Sequence, residues 1–126
     1  MNEQQTEKIL YIGTHACENT ERAAMPFVMA NAALAMDVEA VVVLQGNGVY
    51  LAQKGYADKM AKPGGFPPMA KLIKEFLELG GRLLVCVPCI KERHIDEATD
   101  LIEGASTTAA GALTVEALEA NAVLVY

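Results

Sequence analysis

The sequence predicts an α/β fold: a three-layer α/β/α sandwich around a mainly parallel five-stranded sheet. Three observations predict it. Short apolar runs alternate with segments of helical character along the whole chain. The runs are rich in Val, Leu and Ile and do not alternate with polar residues, as expected of parallel strands buried on both faces. The composition is 52% hydrophobic but only 6% aromatic, so Ala, Val, Leu and Met dominate, which suits small-residue helices packed on a sheet. A chain of 126 residues is long enough for one proper core and too short for two, so residues 1–126 are expected to form a single domain.

Met1 to Glu7 is polar and reads as a loose tail. Lys8 to Gly13 (KILYIG) is a β-rich run stopped by glycine, the first strand. THACENT follows as a loop, where Asn19 or Thr20 can cap a helix beginning near Glu21 and running to about Met36. That helix is apolar on nearly every side, so a second face is expected to meet another subunit. Ala40 to Leu44 is the second strand, with the Gly-rich exit QGNG. One helical turn is expected at Val49 to Gln53, then an irregular loop. PPMAKLIKEFLELGG carries Pro at a helix start and Gly-Gly at its end, with an apolar stripe of Met69, Leu72, Ile73, Phe76, Leu77 and Leu79. RLLVCV is the third strand. Asp96 to Glu103 reads as helical, Ser106 to Ala109 as a fourth strand, Leu113 to Ala120 as a helix and Ala122 to Tyr126 as the closing strand. The connections should be right-handed crossovers, and strand order is left open.

Charge narrows the function. A net charge of -6 and a pI near 4.8 argue against nucleic acid or an anionic membrane, both of which reward clustered Lys and Arg. The longest apolar stretch, Ala23 to Met36, is shorter than the ~20 residues of a membrane span and is interrupted by Pro26 and Asn31. The first residues show no secretory signal. Three cysteines form no disulfide framework, which points to a reducing, cytoplasmic setting.

Ligands of an open parallel sheet gather beyond the carboxyl ends of its strands. The loop leaving the third strand there is CVPCIKERHI, with Cys86 at the strand end and Cys89 three residues on. Lys91, Arg93, a protonated His94 and the amino end of a helix starting near Asp96 would each favour the thiolate, the reactive form of a thiol. Set against this, a cysteine in an apolar strand is often plain core filling, and Lys91-Glu92-Arg93 is often a solvated helix approach. A zinc site wants about four ligands. It would need Cys17, His15 and His94 to join the one Cys-x-x-Cys, which requires the first and third strand loops to adjoin. Otherwise His15 and Cys17 are rim residues with a secondary role or none, and no metal is expected. QGNGV and KPGGFPP lack the dinucleotide and Walker spacings, so no nucleotide cofactor is implied, and KPGGFPP reads as a mobile lid over the strand ends.

Taken together, ENTERAA, VVVLQGNGVYLA, LIKEFLELGGRLLVC, CVPCIKERHID, DLIEGAS and GALTVEALEANAVLVY resemble the DsrE/DsrF-like (DsrEFH/TusD-like) sulfur relay family over almost the whole chain. In TusD-like members the sulfur-carrying cysteine ends the third strand, and Cys86 matches it. Arg93 matches one residue of the basic pair that follows, while Glu92 replaces the other. Cys89 has no counterpart there but resembles a Cys-x-Pro-Cys branch. The resemblance implies a persulfide on Cys86, passed to a partner thiol or released when Cys89 closes a disulfide, with no organic cofactor. It also implies a homotrimer, hexamer or mixed assembly of related subunits, served by sulfur donor and acceptor proteins. Two other functions stay open: a thiol peroxidase or disulfide reductase using the same pair, and an oligomeric binding module in which both thiols are silent.

Overall fold

A computed structural model describes residues 6–126. Residues 1–5 of the expected tail lie outside the described residues, and Thr6 and Glu7 are exposed. The elements run β1 (Lys8–Gly13), α1 (Thr20–Ala35), β2 (Glu39–Leu44), two 3₁₀ turns (Gly46–Ala52 and Ala57–Lys59), α2 (Met69–Glu78), β3 (Arg82–Cys86), α3 (Val87–Glu92), β4 (Ala105–Thr108), α4 (Ala110–Glu119) and β5 (Ala122–Val125). The five strands form one sheet in the order β4-β3-β2-β1-β5, and every pairing is parallel. The sandwich predicted from the sequence is therefore found, with a wholly parallel sheet. Among the described residues no helix is long and apolar enough to cross a membrane.

Alternate strand residues divide between the two faces. Tyr11, Val42, Leu44, Leu83 and Val85 face α1 and α2, where Phe27 and Phe76 meet edge-to-face at 5.5 Å. Leu10, Val41, Val43 and Leu84 face the other way and are covered by Leu113, Ala117 and Ala120 of α4. The second face thus has a thinner cover than the first.

Helix ends follow local chemistry. The Asn19 side chain accepts the Arg22 N–H at 3.2 Å, capping α1. Three helices stop in the same way: Asp37, Gly80 and His94 take left-handed backbone after α1, α2 and α3. The next N–H in each case reaches back five residues, from Val38 to Ala33, Gly81 to Phe76 and Ile95 to Ile90, each at 2.9 Å.

Several expectations are corrected. Asp96 to Glu103 is not a helix. The Asp96 and Asp100 carboxylates take the N–H groups of Ala98 and Asp96, both at 2.8 Å, and Leu101 bridges Gln53 in an extended pairing. The helix sits earlier, at Val87–Glu92, because Pro88 in a first turn gives up an N–H that has no helical partner anyway. α4 begins at Ala110 rather than Leu113, and β4 one residue sooner than expected. KPGGFPP is anchored rather than free along its length: Pro63 is buried, Phe66 packs on the core and Gly64 abuts the Glu21 side chain of α1. α1 is not buried all round, since Met29 and Met36 are exposed.

Candidate functional site

β3 brings Cys86 to the carboxyl rim of the sheet by burying Leu83, Leu84 and Val85 behind it. Cys86 is also the residue from which α3 starts. One helical turn later Cys89 lies over it, and its thiol donates to the Cys86 sulfur at 2.8 Å. Both are half-buried, pack against the edge of the core and carry free thiols. Cys86 opens on a cavity of about 100 Å³ lined by Gln45, Pro88, Thr108, Ala109 and Leu113. Cys89 faces the other wall, where the Gly46 N–H donates to its sulfur at 3.3 Å.

Arg93 is fixed behind the pair. Its Nε and Nη2 donate to Asn47 Oδ1 at 3.3 and 3.0 Å, its Nη1 donates to the Cys89 carbonyl at 3.2 Å, and the guanidinium lies 5.8 Å from the centre of the Tyr50 ring. Of the cations singled out from the sequence, this one acts on Cys86. Lys91 and His94 are exposed, and among the described residues their side chains make no hydrogen bond or ion pair. His94 instead holds the left-handed position that ends α3.

The electrostatic outcome differs from the expectation of an activated Cys86. Burial comes first and pushes its thiol up, helped by the hydrogen bond with the Cys89 side chain and that group's charge. The Cys89 backbone N–H and Arg93 pull the other way without overcoming these. The net effect on Cys86 is to disfavour its thiolate.

The structure also reveals partners that sequence reasoning passed over. Gly46, Asn47 and Tyr50 come from QGNGVY, which the sequence places at the strand ends without linking it to the thiols. The signal present was QGNG leaving β2, the strand next to β3, but adjacency is fixed by strand order. Strand order also undoes the premise of a zinc site from the first and third strand loops, because β2 stands between β1 and β3. His15 Nδ1 pairs with the Glu18 carboxylate at 2.6 Å, and the Cys17 N–H donates to the Tyr56 hydroxyl at 3.1 Å.

The comparisons bear on the same site. Two uncharacterized proteins of Methanocaldococcus jannaschii resemble the chain. One is 39% identical over 98 residues, covering 78% of this chain and 81% of the relative. The other is 32% identical over 91 residues, covering 72% of this chain and 33% of the relative. The chain therefore spans about a third of the length of that second relative. The crystal structure of the ychN protein from E. coli superposes with a TM-score of 0.80 at 20% identity, covering 96% of this chain and 100% of that one. A protein of unknown function from Methanobacterium thermoautotrophicum does so with a TM-score of 0.71 at 15% identity, covering 97% of this chain and 100% of that one. At such identities these two speak for the fold. The family model of DsrE/DsrF-like proteins matches residues 7–126, and the chain belongs to the DsrE/DsrF-like family.

Proposed function

We propose that the protein is a sulfur carrier in which Cys86 holds sulfane sulfur as a persulfide and Cys89 is its partner thiol, as in a Cys-x-Pro-Cys branch of the family. The observation that carries this reading is the pair of sulfurs 2.8 Å apart at the sheet rim, one of them open to a cavity. In the loading step the Cys86 thiolate attacks the outer sulfur of a donor persulfide. A new sulfur–sulfur bond forms, the donor's bond breaks, and the donor leaves as a thiolate. Unloading takes one of two routes. An acceptor thiolate attacks the outer sulfur and returns Cys86 as a thiolate, or Cys89 attacks the inner sulfur, closing a Cys86–Cys89 disulfide and expelling hydrosulfide.

Arg93 would offset the negative charge on either sulfur, and Gly46 would steady Cys89 as it attacks. Lys91 and His94 take no chemical part in this scheme. Residues 1–126 act as one domain, in a reducing cytoplasmic setting, with donor and acceptor proteins as partners and a homo-oligomer or mixed assembly as the working form. A redox role for the pair is favoured by the same proximity of sulfurs. In it, peroxide oxidises Cys86 to a sulfenic acid, and Cys89 displaces water to form the disulfide.

Mass spectrometry separates the readings. Incubation with a persulfide donor is expected to add one sulfur atom to the Cys89→Ser protein and none at this site in Cys86→Ala. Loss of two hydrogens with peroxide, and no sulfur adduct in either protein, would replace the carrier reading by the redox one. Inertness in both assays would leave a binding module.

A further inference from the structure

A second cavity, of about 430 Å³, lies between the start of α1 and the segment after the first 3₁₀ turn. It shares no lining residue with the cavity at Cys86. Its volume falls in the range of small-molecule sites, roughly 300–1,000 Å³. Thr20, Gln53, Lys54, Tyr56 and Lys59 line it together with Cys17, so two ammonium-bearing side chains and no acidic one face it. In a chain of net charge -6 that is a local reversal of sign.

Cys17 is exposed at this cavity. The Tyr56 hydroxyl accepts its N–H at 3.1 Å, which sets the phenol beside residue 17 at the cavity wall. The Tyr56 ring is held in place by stacking on Tyr50 at 5.3 Å. Burial, and then the hydrogen bond to Cys17, push the Tyr56 phenol up, so it stays a proton donor beside the sulfur. The nearest acid in sequence, Glu18, does not line the cavity, and its two carboxylate oxygens are taken by His15 and by the Ala16 N–H at 2.6 and 2.8 Å.

We propose that this cavity binds a small anionic disulfide and that Cys17 forms a mixed disulfide with it. The Cys17 thiol first loses its proton to water. The thiolate then attacks one ligand sulfur, the ligand's sulfur–sulfur bond breaks as the new one forms, and the other half departs as a thiolate. Lys54 and Lys59 neutralise the ligand's acidic groups, and Tyr56 holds the attacking sulfur in line. None of this uses Cys86 or Cys89, so it stands or falls apart from the carrier reading.

The test uses the full chain with Cys86→Ser and Cys89→Ser, leaving Cys17 as its thiol, and two probes. One is the disulfide of mercaptopropionate, which carries two carboxylates; the other is the neutral disulfide of mercaptoethanol. Mixed-disulfide formation is followed by mass. The Lys54→Gln, Lys59→Gln variant should slow reaction with the dicarboxylate about tenfold and leave the neutral probe unchanged. Tyr56→Phe should slow both. Equal effects of the lysine changes on the two probes, no effect on either, or no adduct on Cys17 would each overturn the proposal. The lysines are exposed, so their replacement leaves folding intact.

Discussion

Cys86 sits where two demands conflict. Burial at the end of β3 fixes its sulfur against Cys89, and the same burial resists the charge that makes a sulfur reactive. Its alkylation rate should therefore keep rising with pH beyond about 8.5, where an ordinary thiol levels off. Arg93 is the compensating charge, so Arg93→Gln should push the Cys86 thiol further up. With less thiolate present, alkylation of Cys86 at pH 7 should slow by about three- to tenfold, since one pKa unit is a factor of ten. Stopped-flow labelling of a Cys17→Ser background measures this, and an unchanged rate would show that the guanidinium acts on the Tyr50 and Asn47 side alone. Lys91→Gln, by contrast, should leave the profile where it is.

Among the elements, α4 is tied to the sheet at its far, amino-terminal edge. Arg82 of β3 grips Glu116 with both arms at 3.2 and 2.7 Å, and Lys8 of β1 reaches the same carboxylate at 3.4 Å. The Arg82 hydrogen bond, then the charges of Arg82 and Lys8, hold the Glu116 carboxyl below its ordinary range against the opposing effect of burial. A depressed carboxyl stabilises the fold at pH above the unfolded value of about 4.3, and that contribution is lost as pH falls through the lower folded value. Glu116→Gln should cost about 1 kcal/mol in urea unfolding at pH 7, and the difference from wild type should vanish at strongly acidic pH. A second element contact is steric. A Cβ on Gly48 would run into the Gly13 carbonyl, so the first 3₁₀ turn is pressed on the β1 exit. Gly48→Ala should lower stability by about 1–3 kcal/mol and loosen Gly46 and Asn47 beside the thiols.

For the molecule as a whole, the uneven cover of the sheet is the telling feature. Val115 and Leu118 of α4 and Val123, Leu124 and Val125 of β5 are all exposed, with Leu118 80% accessible. β5 is also an edge strand, with unpaired backbone groups along one side. An apolar surface of this kind next to an open edge marks an association face. The sequence pointed to α1 for that role, yet its large exposed hydrophobics among the described residues are Met29 and, just past its end, Met36. Light scattering should find an oligomer, and Leu118→Glu with Val125→Glu should reduce its mass. If Met29→Glu with Met36→Glu dissociates it instead, α1 is the contact after all.

Local signals were enough for most of the fold. β1 matches KILYIG from end to end, the Asn19 cap and the Gly80 stop of α2 lie where the residue types place them, and the unbroken Val runs required a parallel sheet. Cys86 and Cys89 were legible for the same reason: three residues along one turn are close whatever the rest of the chain does. The misread stretch, Asp96 to Glu103, has helical composition but loses its backbone donors to two aspartates and its Leu101 to a pairing with distant Gln53. Strand order, the Gly46–Asn47–Tyr50 wall around the thiols, the burial that raises Cys86 and the distance of His15 from the dithiol loop were decided by tertiary structure alone. Spacing along a chain determines helix, strand and turn through contacts a few residues long. Which rim loops meet, and how much water a sulfur keeps, depends on groups far apart in sequence that share a space only once the sheet has formed.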